Sequence, residues 1–399
     1  MNFFKNNLLK PQRSILIFGV FMLLFVTLLV FVEKLNGKFY TNDFKVYYLA
    51  AKDYFEGENP YLLPYGLGTG FFKYPPTTLY FFYFSTKFSY FTAQIIHVIF
   101  LLIAFIISAI ILRKILFISR LKVEKKYNWV LYTSFFFSVI QLVREFHMGN
   151  VNLFLLCFFS LGLYAFLVKK EWGTIIAWSF MVILKPIVVL VFIPLLFYKK
   201  WKIIGGMMLF GLLFYLIPLI NKSGFELLNL WYFWFQSVSK HGSYILSQYS
   251  LTYLASYYFD IQSNWIPSIV VLLLLLFVEF KRSRTIHYTT HSCIEFFIVL
   301  MAFTPNFFVT DTEHFLLSMP LLLLNIVYLQ QLKKWYYWLF FSIILLPFTL
   351  RSNDLMTAHF SDFIAEIGLL GIVNLLAIAL FYSVSFQVAK QPLNQLSNE

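Results

Sequence analysis

Four short polar groups stand out against an apolar background in this sequence. The first is Thr41-Asn42-Asp43, at the head of NDFKVYYLAAKDYFEGENPY (42–61). A carboxylate there can take a proton from a hydroxyl group, or it can do no more than cap a helix. The second is Lys185, alone in an apolar run and followed by Pro186. An ammonium at membrane depth costs roughly 2.5–3.5 kcal/mol on insertion scales, so it needs a partner, either an anionic head group or a structural carboxylate. The third group is Arg144-Glu145-Phe146-His147, which runs into Gly149-Asn150-Val151-Asn152. The fourth is Asp311-Thr312-Glu313-His314. Two carboxylates and a histidine so close together suit acid–base work or a metal, and they equally suit a tight exposed turn.

The elements that carry these groups are membrane helices. Of the 399 residues, 60% are hydrophobic, 22% aromatic and only 12% charged. A soluble domain carries about 25% charged residues. The excess of 31 Lys and Arg over 18 Asp and Glu sits in short clusters between apolar runs. Such clusters mark topology and not a nucleic-acid partner. Cys157 and Cys293 lie inside apolar runs, which argues against a disulfide framework or a zinc site. The apolar run 14–32, behind Lys5, Lys10 and Arg13, is too long for a signal-peptide core and reads as the first transmembrane helix.

Helices of about 17–25 residues cross a bilayer. Candidates are 14–32, 89–112, 127–143, 150–168, 203–220, 264–280, 291–309, 315–332, 335–350 and 363–386. The run 173–198 must go out and come back as two short helices meeting at Lys185-Pro186. Only then do Lys199, Lys200, Lys202, Lys281, Arg282, Arg284, Lys333, Lys334 and Lys390 stay inside, as the positive-inside rule favours. Segment 74–87, which opens Tyr74-Pro75-Pro76, reads as re-entrant or interfacial. The expectation is one all-α, polytopic membrane domain over 1–399 with about twelve passes. Both termini are then cytoplasmic, and the long loops 33–73 and 221–263 lie on the outer face. Residues 43–56 form a helix along the membrane surface, with Thr41, Asn42 and Asp43 supplying capping oxygens and Gly57 stopping it. Aromatic residues in 231–235 and 253–259 suit an interfacial belt.

No Walker A, Rossmann, HExxH or GxSxG pattern occurs. The stretches outside the bilayer are too short for a nucleotide-sugar domain, which leaves membrane-borne substrates. No cofactor is expected.

At these residues the chain resembles glycosyltransferase family 87, GT-C-type membrane enzymes that include polyprenol-phosphate-mannose-dependent alpha-mannosyltransferases. DFKVYYLAA, GENPY and FKYPP carry the likeness, in that order and spacing. GNVNLFLLCF (149–158), LKP (184–186), KKWK (199–202), SQYSLTYLAS (247–256) and TPNFFVTDTEHFLLSMPLLLL (304–324) extend it. The sequence departs from the family pattern at Gly149-Asn150 and at Ser247-Gln248-Tyr249-Ser250. The resemblance implies a GT-C-like fold and assigns the catalytic base to Asp43.

Lys185 and Arg144 are then candidates to neutralise the donor phosphate. His314, Glu313, Asn150, Gln248 and Tyr74 are candidates to bind the acceptor or the sugar. The implied partners are a polyprenyl-phosphate sugar donor, a lipid or glycan acceptor and membrane lipids. The implied reaction is an inverting transfer of a hexose, mannose by the likeness, at the outer face. Competing readings are a transporter or flippase of lipid-linked sugars, and a non-catalytic membrane subunit of a polysaccharide assembly system.

Overall fold

The computed structural model describes residues 13–66, 70–118, 129–244, 248–261, 265–285, 290–308, 311–349 and 357–389. Among these the chain is helical throughout, with no strand. In order the α-helices are α1 (Arg13–Leu35), α2 (Asn42–Phe55), α3 (Thr78–Tyr83), α4 (Tyr90–Ile118), α5 (Trp129–Met148) and α6 (Asn152–Leu167). Next come α7 (Glu171–Leu184), α8 (Phe192–Phe197), α9 (Trp201–Leu216), α10 (Gly224–Tyr244), α11 (Leu251–Phe259) and α12 (Ile266–Thr285). The last are α13 (Thr290–Phe307), α14 (Met319–Leu332), α15 (Trp335–Thr349), α16 (Ala358–Glu366) and α17 (Leu369–Ala389).

Among the described residues, five helical segments are long and apolar enough to cross a membrane: Arg13–Leu35, Tyr90–Leu116, Trp201–Ile220, Thr312–Leu332 and Leu369–Ala389. Shorter apolar helices include α6, α7 and α15. Side chains such as Leu24, Leu28 and Leu35 on α1 stay exposed, as they must where the surrounding solvent is hydrocarbon. By contrast, α13 and α14 are buried almost throughout and form the centre of the bundle.

Buried amides clasp that centre together. Asn306 donates to the carbonyls of Tyr249 and Gly371, and Asn374 donates to that of Ala302. Toward the other end of α13, Arg282 is fully buried between Glu279 and Glu295, and the hydroxyls of Tyr198, Tyr328 and Tyr382 complete the carboxylates. Interhelical polar contacts of this kind hold membrane bundles together where the hydrophobic effect supplies no bias between helix and lipid.

Two local expectations change. The run 363–386 is not one helix: α16 ends at Glu366, Gly368 turns left-handed at φ +65°, and α17 begins at Leu369. A Cβ on Gly368 would stand 2.5 Å from the carbonyl oxygen of Gln248, so only glycine fits the corner. The first outer helix runs Asn42–Phe55, but Thr41 forms no side-chain cap. Its hydroxyl accepts instead from Gln94, at 2.7 Å. The apolar face of helix α2 is covered within the protein. Its Phe44, Tyr47 and Ala51 face is packed against Phe72, Tyr74, Leu79 and Val151.

Candidate active site

Helices α5 and α6 are separated only by Gly149, Asn150 and Val151. Gly149 has φ +66°, and a Cβ there would lie 2.8 Å from the Cβ of Phe44. The corner therefore admits α2 at a distance that no side chain would tolerate. His97 fixes the same corner, with Nε2 2.9 Å from the Gly149 carbonyl and its ring stacked on Phe44 at 4.4 Å between centroids.

Two amides leave this corner. Asn150 Oδ1 accepts the N–H of Val151 at 2.7 Å, together with the hydroxyls of Tyr47 at 3.3 Å and Tyr74 at 3.2 Å. A backbone N–H can only donate, so the oxygen side of the amide is fixed. The amide nitrogen must then face the other way, where it lies 2.7 Å from Asp43 Oδ2 and 3.5 Å from Glu313 Oε1. One nitrogen thus ties two carboxylates. Among the described residues, Asp43 Oδ1 forms no hydrogen bond and is left to accept a proton. Burial pushes the Asp43 carboxyl above the usual carboxylate range, against the opposing charges of Lys73 and Lys185. Burial likewise raises the phenols of Tyr47 and Tyr74, which keeps them protonated as donors.

Asn152 is the second amide. Its Nδ2 donates to Glu145 Oε2 at 2.9 Å, while Glu145 Oε1 accepts the N–H of Leu153 at 3.0 Å. Glu145 thus satisfies an orphan donor in the first turn of α6, a positioning task. With its nitrogen engaged, Asn152 turns Oδ1 toward Lys185, whose Nζ donates at 3.1 Å.

Lys185 itself stands where the helix breaks. Pro186 disfavours helical geometry at the residue before it, and Lys185 is extended at φ −150°, ψ 97°, between α7 and the 3-10 turn Pro186–Val191. Its Nζ also meets Nε2 of His314. His314 Nδ1 accepts the backbone N–H of Asp311 at 3.2 Å, so a neutral ring carries its proton on Nε2. In that tautomer the Nε2–H donates to the lysine nitrogen, which brings both nitrogens to one place beside Asn152.

The half-exposed Arg144 donates to the buried Glu313 through Nε at 3.3 Å. The Tyr74 ring lies 5.9 Å from Lys185 Nζ and joins the carboxylate side to the cation side.

Asp43, Asn150, Tyr74, Glu313 and Arg144 therefore share one network, and Lys185 and His314 share a second that starts from the same corner. Asp311 caps its 3-10 turn through a capping box, as a plain turn residue does. Glu313 is buried and turns to Arg144 and Asn150, while His314, also buried, completes the capping box through Nδ1 and turns Nε2 to Lys185. Among the described residues, Lys185 bonds to an amide and an imidazole and forms no ion pair with a carboxylate. The backbone carbonyl of Gln248 backs onto Gly368, and the hydroxyl of the neighbouring Tyr249 stands 3.5 Å from Thr312 Oγ1.

Sequence reasoning missed Lys73, Tyr47, Glu145 and Asn152 as members of the site. Lys73 was available from its place beside Tyr74 in FKYPP. Asn152 was available from its spacing of two from Asn150. Tyr47 lies on the packed face of α2, where an aromatic residue reads as core. Among the described residues, no group of three or more His, Cys, Asp or Glu is placed to hold a metal ion.

The family model for glycosyltransferase family 87 matches residues 71–305, which is more than half of the chain. No curated protein and no solved structure matches it.

Proposed function

This chain belongs to glycosyltransferase family 87, and from that premise we propose that it transfers a hexose, mannose in our reading, from a polyprenyl-phosphate donor to a lipid or glycan acceptor. As a family member it is a membrane glycosyltransferase. We place the reaction on the outer face of the cell membrane, in a GT-C-like bundle of about twelve passes with both termini in the cytoplasm, because the basic clusters then remain inside.

One observation carries the chemistry. Asn150 and Asn152, two residues apart in one corner, hold Asp43 and Lys185 respectively. Asp43 acts as general base. Its unengaged Oδ1 takes the proton of the acceptor hydroxyl while that oxygen attacks the anomeric carbon. The bond from the anomeric carbon to the phosphate oxygen breaks, and the electron pair leaves with the polyprenyl phosphate. Lys185, with His314 beside it, donates to the departing oxygen, and Arg144 supplies a further positive charge near the mouth. One displacement inverts the centre, so a beta-linked donor gives an alpha-linked product. Asn150 and Glu313 orient Asp43 and the acceptor. Tyr74 closes the sugar side, and Gln248 contacts the acceptor from the α11 end.

The test incubates the purified full-length protein, in nanodiscs, with membrane extract and a panel of radiolabelled polyprenyl-phosphate sugars. We expect transfer from one of them, lost in Asp43→Asn. Transfer from none would overturn the assignment.

A further inference from the structure

Helix α2 carries Asp43 in its first turn and Tyr54 in its last, which places them roughly 16 Å apart along the axis at about 1.5 Å per residue. Beyond Tyr54 the chain turns at Gly57, whose φ of +100° brings Glu58 and Asn59 back beside the helix. Opposite them runs α10, with Asn229 and Phe233 facing the same space. Together these residues line an open recess of about 130 Å³ that none of the site residues above enters. At ~10–15 Å³ per water it holds on the order of ten waters, comparable to the heavy atoms of one hexose.

The lining is that of a site for a neutral sugar. Asn229 and Asn59 are amides, Glu58 is a carboxylate, and all three groups match vicinal hydroxyls, which donate and accept at short spacing. The half-buried ring of Phe233 offers an apolar face for the C–H side of a pyranose, and the buried Tyr54 forms the floor behind it. Charge argues against an anion. The one cation, Lys222, sits 3.9 Å from Glu226 and lies over the Tyr54 ring, so Glu58 leaves the lining net negative. The hydroxyl of Tyr54 donates to Asn221 at 3.1 Å, which fixes its ring in place.

We propose that this recess is a glycan subsite, distinct from the catalytic corner, that binds a neutral sugar unit of the acceptor several units away from the hydroxyl being glycosylated. The inference rests on the transferase reading and narrows its acceptor class to an oligosaccharide. Helix α2 then engages the acceptor at both ends, with the base at its start and the distal sugar at its finish.

The probes are alpha-linked mannotetraose, maltotetraose and inorganic phosphate, added to the full chain in nanodiscs and followed by saturation-transfer NMR. At least one oligosaccharide is expected to bind saturably, with affinity weakened about tenfold in Asn229→Leu and in Glu58→Ala, the size of one or two hydrogen bonds to uncharged partners. Binding should survive Asp43→Asn, because the base lies at the other end of the helix. In transfer assays the same two variants should raise KM for a long acceptor about tenfold and leave a one-sugar acceptor unchanged. Saturable binding of phosphate alone, or oligosaccharide binding that both variants leave intact, would overturn the subsite. An equal KM effect on long and short acceptors would overturn it too. Loss of all transfer in the wild type, with oligosaccharide binding retained, would instead count against the transferase reading.

Discussion

Lys185 Nζ meets His314 Nε2 head-on, although both are hydrogen-bond donors when the lysine is charged. A neutral lysine can accept from the imidazole N–H; in the proposed reaction a phosphate oxygen would instead take both as donors. Replacing Lys185 with Met should lower kcat by about 10²–10³-fold, the usual cost of removing one donor from a developing oxyanion. His314→Gln retains an N–H donor and should lose less. Steady-state kinetics at varied donor concentration would decide, and a Lys185→Met enzyme with wild-type kcat would contradict the assignment.

Asp43→Asn keeps the size of the side chain and removes its basicity. The expected loss in kcat is about 10²–10⁴-fold, typical of a general base, with little change in KM for the acceptor. A variant that retained most of its turnover would show that the proton leaves by another route.

The pH profile follows from the buried setting of Asp43. Its carboxyl is raised by burial, and the base must be ionised to work. Activity is therefore present above the raised value and disappears as pH falls through it, so the acid limb of kcat/KM should lie above the ordinary Asp value of about 3.9. The positive charge of Lys73 opposes the shift. Lys73→Gln should move the limb to still higher pH, and an unmoved limb would separate Lys73 from the base.

Gly149→Ala places a methyl group against Phe44 in a left-handed backbone. The backbone alone costs roughly 1–2 kcal/mol. Both a lower melting temperature and a large loss of transfer are expected, because α2 and with it Asp43 must shift. Thermal unfolding alongside transfer assays tests the pairing of the two effects.

Arg282→Met strands Glu279 and Glu295 in the bundle core. Removing one partner of a buried ionic group costs about 3–5 kcal/mol. Thermal unfolding in detergent should show a large drop. Replacing all three residues with apolar side chains of similar volume should restore much of it.

Membrane character and helical class were open to reading from composition, since no soluble core needs so many apolar residues. The short motifs also led to Asp43, Asn150, Glu313 and Lys185, because a polar residue in an apolar run needs a reason. What stayed hidden was pairing. Asn150 and Asn152 differ in no local property, yet one turns to the loop carboxylate and the other to the lysine, and only the corner at Gly149 decides which. At Gln248 the motif names a residue whose backbone carbonyl packs over Gly368, while the hydroxyl that reaches Thr312 belongs to Tyr249. The break before Leu369 was missed for a similar reason, since a glycine inside an apolar run gives no hint of a neighbour's carbonyl pressing on it.

The Gly149–Asn152 corner has a mechanical corollary. Bilayers differ in thickness and lateral pressure, and helices answer by tilting. Because Asp43 and Lys185 are both fastened to this one short stretch, tilting of the surrounding helices carries them along as a pair. The spacing between proton acceptor and cation is thereby insulated from the elastic state of the lipid.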